Sequence, residues 1–112
     1  MDIKTNWTKE EFVAYTLIHA SQTDCIICDE EIDYLESKFD SEIIKKMVRE
    51  LDHDNDYQRI QKIMHFINLN KLTRADLNNL LEEIKKVFES DGDFNPYQQN
   101  TFMYLKKILL LN

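Results

Sequence analysis

The sequence predicts an all-α fold, a compact bundle of about six short helices in a single domain over residues 1–112. Three observations support this prediction. The chain has one glycine and one proline, which favours helices with short connections over sheets with many tight turns. Apolar residues recur at spacings of three and four, and no segment alternates for long enough to predict a strand. A 43% hydrophobic content is enough for one modest core.

Capping signals and apolar stripes place the first three helices. Thr8, with a glutamate three residues later, forms a predicted capping box that starts a helix over residues 8–22. A second helix starts at Cys28 or Asp29, and Ser41 is predicted to cap the third. Their stripes are Phe12, Tyr15, Leu17, Ile18 and Ala20; then Ile32, Leu35 and Phe39; then Ile43, Ile44, Met47, Val48 and Leu51.

The last three helices have clear start signals. Asp54 or Asn55 opens a fourth helix, and Thr73 caps a fifth with an aspartate three residues later. Asn95 caps a sixth ahead of a proline at the first helical position, and this helix ends near residue 111. Their stripes are Ile60, Ile63, Met64 and Ile67; then Leu77, Leu80, Leu81, Ile84, Val87 and Phe88; then Phe102, Leu105, Ile108 and Leu109.

Two turns share one pattern, "TDCIICDEE" over residues 23–31 and "SDGDFNPYQQ" over residues 90–99. Each has an aspartate after a helical run, an apolar residue three positions later and then a cap residue. The aligned pairs are Asp24 with Asp91, Ile27 with Phe94, Cys28 with Asn95, and Glu31 with Gln98. The hairpins 8–40 and 73–111 are therefore either duplicates or alike because every helix–turn–helix needs a cap and a staple.

At these turns the sequence resembles the TerB-like tellurite-resistance family. The matching stretches are "WTKEEFVAYTLIHASQTD" (Trp7–Asp24), "DEEIDYLESKF" (Asp29–Phe39) and "LLEEIKKVFESDGDFNPYQQNTFMYLKKIL" (Leu80–Leu109). The resemblance implies a compact all-helical bacterial domain that accompanies resistance to tellurite and other stress. It also implies a metal ion bound through acids at the turns. The first turn departs from the pattern, with Cys25 and Ile26 where the second turn has Gly92 and Asp93.

The second turn spaces its oxygen ligands like the start of a calcium loop. No acid closes this loop, because Phe102 stands where a bidentate glutamate is needed, so a complete site would recruit acids from the first turn. The candidate ligands for Ca²⁺ or Mg²⁺ are Asp24, Asp29, Glu31, Asp91, Asp93 and Asn95. The alternative is that Asp91 and Asn95 bond local backbone groups in a turn and a cap.

Other candidate sites have weaker patterns. The stretch "DHDND" (Asp52–Asp56) lacks the glycine and the closing glutamate of a calcium loop, so we expect a solvated connection. Cys25 and Cys28 have C-x-x-C spacing, but no strand accompanies them, and we expect small apolar turn residues. His19 and His65 are expected to be packed or half-exposed. The sequence thus predicts no catalytic residue, and a divalent cation is the one cofactor it suggests.

Charge and hydropathy limit the partners. A net charge of −7 disfavours nucleic acid. No run approaches the ~20 apolar residues of a membrane span, and "MDIKTNWTKEEF" has no signal-peptide apolar region, so we expect a cytoplasmic protein. Tyr97 and Tyr104 fall off the last apolar stripe. With Leu110 and Leu111 they form either an exposed patch for a partner or a surface covered by the N-terminal tail.

These observations predict a non-enzymatic helical module that binds an unidentified protein, and the TerB-like resemblance implies that this occurs in a tellurite or metal stress response. We expect it to be a monomer or a weak homodimer. The alternative function is a divalent metal-ion binding or sensing protein that uses the acidic turns. A third hypothesis is an enzyme that uses Cys25 and Cys28.

Overall fold

The computed structural model describes residues 6–22, 29–90 and 96–110, except for the side chains of Gln22, Asp29 and Glu30. Over these residues the chain forms six α-helices and no strand, so the all-α prediction is confirmed. The helices are α1 (Lys9–Gln22), α2 (Asp29–Lys38), α3 (Ser41–His53), α4 (Asp56–Leu69), α5 (Arg74–Glu89) and α6 (Pro96–Leu110). None of the helices in this part of the chain has the length and apolar character to cross a membrane.

Three of the predicted helix starts have reciprocal capping boxes. At α1, the Glu11 amide donates to Thr8 Oγ1 at 3.1 Å and the Thr8 amide donates to Glu11 Oε1 at 2.9 Å. Asn55 caps α4 and Thr73 caps α5 in the same way. Each box satisfies backbone amides that have no partner inside the helix, which fixes where the helix begins.

The start of α3 differs from the prediction. Asp40, not Ser41, occupies the N-cap position, with the extended backbone angles φ −61° and ψ 145°, and it makes no side-chain cap hydrogen bond. Ser41 is already the first helical residue. Both residue types are good N-caps, so sequence preference alone did not decide between adjacent positions.

The centre of the bundle consists of α1 and α5. Helix α1 packs against α3, α4 and α5, and α5 also packs against α2 and α6. Every residue from Ala14 to Ser21 is buried, with Thr16 and Ser21 bonding backbone carbonyls of their own helix. All six residues of the predicted α5 stripe are buried as well. Leu35 of α2 and Phe39, the residue that follows this helix, are buried, whereas Ile32 lies at the surface, contrary to its predicted place on the stripe.

An aromatic group closes the end of the bundle where α1 begins. Trp7 packs on Phe12 and Tyr15, with ring centroids 6.4 and 4.4 Å away, and Phe12 stacks on Phe66 of α4 at 4.3 Å. Trp7 precedes the cap and Phe12 is the fourth helical residue, so the two form a hydrophobic staple. The staple also places the Trp7 ring beside Phe66 of α4, with ring centroids 6.1 Å apart.

Candidate functional site

Most of the predicted metal ligands lie outside the described residues. These are Asp24, Asp91, Asp93 and Asn95, and the cysteines Cys25 and Cys28 lie outside them too. Asp29 is the first residue of α2, and its side chain is not described. Glu31 is the third residue of α2 and is 1% exposed. The joint acidic site therefore stays a prediction.

The pairing of Glu31 with Gln98 has a structural counterpart. Glu31 is the third residue of α2 and Gln98 is the third residue of α6. Both are buried, at 1% and 2% exposure. A buried polar side chain at the same place in two helices fits both explanations of the repeat, duplication and shared turn chemistry.

The stretch Asp52–Asp56 is not wholly solvated. Asp52, His53 and Asp56 are exposed, as expected of a connection. Asp54, however, accepts a hydrogen bond from the Tyr15 hydroxyl at 2.8 Å and pairs with Lys62 at 2.8 Å, so the prediction was wrong for this residue. In the part of the chain that the structure describes, no group of three or more His, Cys, Asp or Glu residues could hold a metal ion.

Asp54 belongs to a polar cluster that joins three helices. We call Trp7, Tyr15, Glu50, Asp54 and Lys62 the α1–α3–α4 cluster. The Trp7 indole donates to Glu50 Oε2 at 2.8 Å, and Lys62 Nζ lies 3.6 Å from the same oxygen. Because Lys62 is also paired with Asp54, one ammonium from α4 forms ion pairs with two carboxylates.

The chemistry of this cluster indicates a structural role. Burial, followed by the hydrogen bond to Asp54, raises the pKa of Tyr15 far above its ordinary value of 10.0. Tyr15 therefore stays a neutral hydrogen-bond donor at any physiological pH. The hydrogen bonds and ion pairs of this cluster hold α1, α3 and α4 together.

His19 is another buried polar residue of α1. Its side chain is 5% exposed, and its Nδ1 has no hydrogen-bond partner among the described residues. Burial, with a smaller effect from the Arg59 guanidinium, lowers the pKa of His19 to about 4. The imidazole is therefore neutral at physiological pH and is a packed residue, as expected.

The strongest candidate site is a groove on α6. Its lining combines one residue from the start of α5 with residues from the second half of α6, because the two helices form an antiparallel hairpin. The lining residues are Arg74, Met103, Tyr104, Lys106, Lys107 and Leu110. We call this surface the α6 groove, and its volume is about 560 Å³.

The helical period explains why apolar residues line this groove. Leu105 and Leu109 point into the core and are buried, with Phe102 packed beside them. Tyr97, Met103 and Tyr104 fall on other faces of α6 and remain 57%, 62% and 59% exposed. The exposure of both tyrosines agrees with the sequence prediction, whereas Met103 was not singled out. Leu111, the last residue of the predicted patch, lies outside the described residues.

The α6 groove is basic in an acidic protein. Its three charged lining residues are Arg74, Lys106 and Lys107. No described acidic residue lines the groove, and none forms an ion pair with these cations. The chain as a whole carries a net charge of −7. Apolar surface flanked by cations that pair with no described carboxylate is a pattern typical of binding surfaces.

Comparison with known proteins adds no relative to this description. No family model, curated protein or solved structure matches the chain. The fold and the surfaces described above are therefore the basis for assigning a function.

Proposed function

We propose that this chain is a non-enzymatic helical module that binds another protein through the α6 groove and the neighbouring Tyr97. The observation that carries the proposal is the exposure of Tyr97, Met103 and Tyr104 on one helix. Tyrosine and methionine are enriched in protein interfaces, because they supply large apolar contact areas. A cavity of about 560 Å³ beside them gives partner side chains a place to insert.

The TerB-like resemblance supplies the setting of this proposal. On the strength of the two turn sequences, the partner belongs to a bacterial tellurite or metal stress response. The support for this setting is the motif likeness alone. The choice of surface is supported independently, by the exposed side chains of α6.

Site-specific photocrosslinking in cells tests the proposal. A photoreactive phenylalanine analogue replaces Tyr104 in one variant and Tyr57 of α4 in a matched control, since Tyr57 is 70% exposed and lies on another helix. We expect a discrete protein adduct from position 104 that the control does not give. Identical adducts from both positions, or none from position 104, would refute the proposal.

A further inference from the structure

We infer that the α6 groove binds an acidic amphipathic helix of the partner protein. The partner's apolar side chains would rest on the apolar lining, and its carboxylates would pair with the three groove cations. This inference rests on the proposed function and names the chemistry of the partner. Three properties of the surface support the inference: its charge, its apolar pattern and its length.

The charge of the groove determines the charge of its occupant. Arg74, Lys106 and Lys107 are exposed and line the groove together with its apolar residues. Arg74 comes from α5 and the lysines from α6, so the cations approach the groove from two helices. A cationic occupant would meet like charges on both helices, whereas carboxylates would find partners that no described residue of this chain occupies.

The apolar pattern of α6 matches a helical occupant. Met103 and Leu110 are seven residues apart, and so are Tyr97 and Tyr104. Seven residues are two helical turns, so each pair spans about 10 Å along the axis. The surface from Tyr97 to Leu110 is about 20 Å long, which is more than a small ligand covers and equals about four turns of a partner helix.

Two other occupants fit less well. A symmetric dimer through this groove would place the basic groove of one copy against the basic groove of the other, which is repulsive. An anionic membrane surface would attract the groove but repel the rest of a chain with a net charge of −7. An acidic helix is small enough to contact the basic groove without meeting the acidic remainder.

A peptide probe of defined chemistry tests the inference. The probe is a synthetic helical peptide with leucines at positions i, i+3 and i+7 and glutamates on both flanks. Its first control has lysines in place of the glutamates, and its second has the same residues in scrambled order. Fluorescence anisotropy measures affinity for the full chain, and amide NMR shifts locate the site. We expect the acidic peptide to bind and to shift amides of α6 and of Arg74.

Charge reversal supplies the matched protein variants. In K106E/K107E we expect the affinity for the acidic peptide to fall roughly tenfold. The control K45E/R49E changes the same number of charges at exposed positions on α3, beside a cavity of about 440 Å³. We expect it to weaken binding by less than about twofold, since its charges lie on a different surface. Circular dichroism checks that both variants are folded.

Several outcomes would overturn the inference. Equal affinity for the glutamate and lysine peptides would exclude charge recognition, and equal affinity of K106E/K107E and wild type would exclude the groove. Co-sedimentation of the protein with phosphatidylserine vesicles would overturn the inference if K106E/K107E abolishes that binding. Dimerisation in analytical ultracentrifugation would overturn it if K106E/K107E abolishes the dimer. If Tyr104 crosslinks a partner through a segment that is not acidic, the proposed function stands and this inference fails.

Discussion

The hydroxyl of Tyr15 on α1 donates a 2.8 Å hydrogen bond to Asp54, which lies 39 residues further along the chain. Tyr15 is 0% exposed, and the Asp54 side chain is 9% exposed. The bond therefore joins the central helix to the connection between α3 and α4 inside the protein. The bond belongs to the α1–α3–α4 cluster, and its contribution to the free energy of unfolding can be measured.

Tyr15→Phe removes this bond and leaves the ring in place. We expect the free energy of unfolding to fall by about 1–2 kcal/mol, because Asp54 keeps Lys62 but loses its neutral donor. Urea unfolding with an unchanged m-value measures the loss. Tyr57→Phe is the control, and it should change little because Tyr57 is 70% exposed. A Tyr15→Phe protein as stable as wild type would mean that the bond contributes nothing.

Lys62→Met tests the ammonium that pairs with two carboxylates. The Lys62 side chain is 18% exposed, so its removal leaves Asp54 and Glu50 in a poorly solvated site without a counter-ion. We expect a loss of roughly 1–3 kcal/mol in urea unfolding. The double variant Lys62→Met/Asp54→Asn should lose less free energy of unfolding than the sum of the losses in the two single variants, because Lys62 and Asp54 are directly paired. Strict additivity would contradict the pairing.

His19 predicts a pH dependence of stability. The unfolded state has a His19 pKa near 6.5, and burial lowers the folded-state pKa to about 4. Between these values the unfolded state binds more protons, so the stability contributed by His19 is complete above pH 6.5 and is lost as the pH falls toward 4. The full loss is roughly 3 kcal/mol.

His19→Gln provides the comparison for this pH effect. Besides Asp56, whose charge opposes the shift, the charged group that acts on His19 is Arg59, and both remain in the variant. The wild-type stability should fall more steeply than that of the variant from pH 6.5 to 4, as measured by urea unfolding at each pH. Parallel curves would show that the His19 pKa is not depressed.

The metal hypothesis makes a separate prediction. Titration with Ca²⁺ or Mg²⁺ at millimolar concentration should shift NMR amide signals at both turns, around Asp24 and over residues 91–95. Asp24→Asn combined with Asp91→Asn should abolish the shifts. Asp52→Asn is the control, since Asp52 is an exposed acid of the α3–α4 connection. Unmoved signals at both turns would exclude the cation site.

Local patterns predicted the helices because local chemistry forms them. The boxes at Thr8, Asn55 and Thr73 each join residues three positions apart, so a single sequence shows both partners. The α5 stripe was predicted completely because six apolar residues follow the helical period without interruption. The exposure of Tyr97 and Tyr104 followed from the same period, since neither falls on the buried stripe.

The polar cluster and the α6 groove could not be predicted in this way. The bond from Trp7 to Glu50 spans 43 residues, and it exists because α1 and α3 pack together. Asp54 resembled any acid in a polar connection, and no local signal separates it from exposed Asp52. Arg74 lines the groove because α6 folds back along α5. The full set of cations around this surface therefore depends on tertiary packing and is not visible in a local sequence pattern.

The continuous burial of α1 affects how the chain can be divided. Cleavage of the backbone at the turn around Lys71, where φ is 51°, would separate α1–α4 from α5–α6. The first fragment would then expose the apolar side of α1 that α5 covers, and the second would expose the parts of α5 that α1 and α2 cover. Neither half retains a complete interior, so the two pieces would have to reassociate to remain in solution, which makes this turn a natural position for a split-protein reporter.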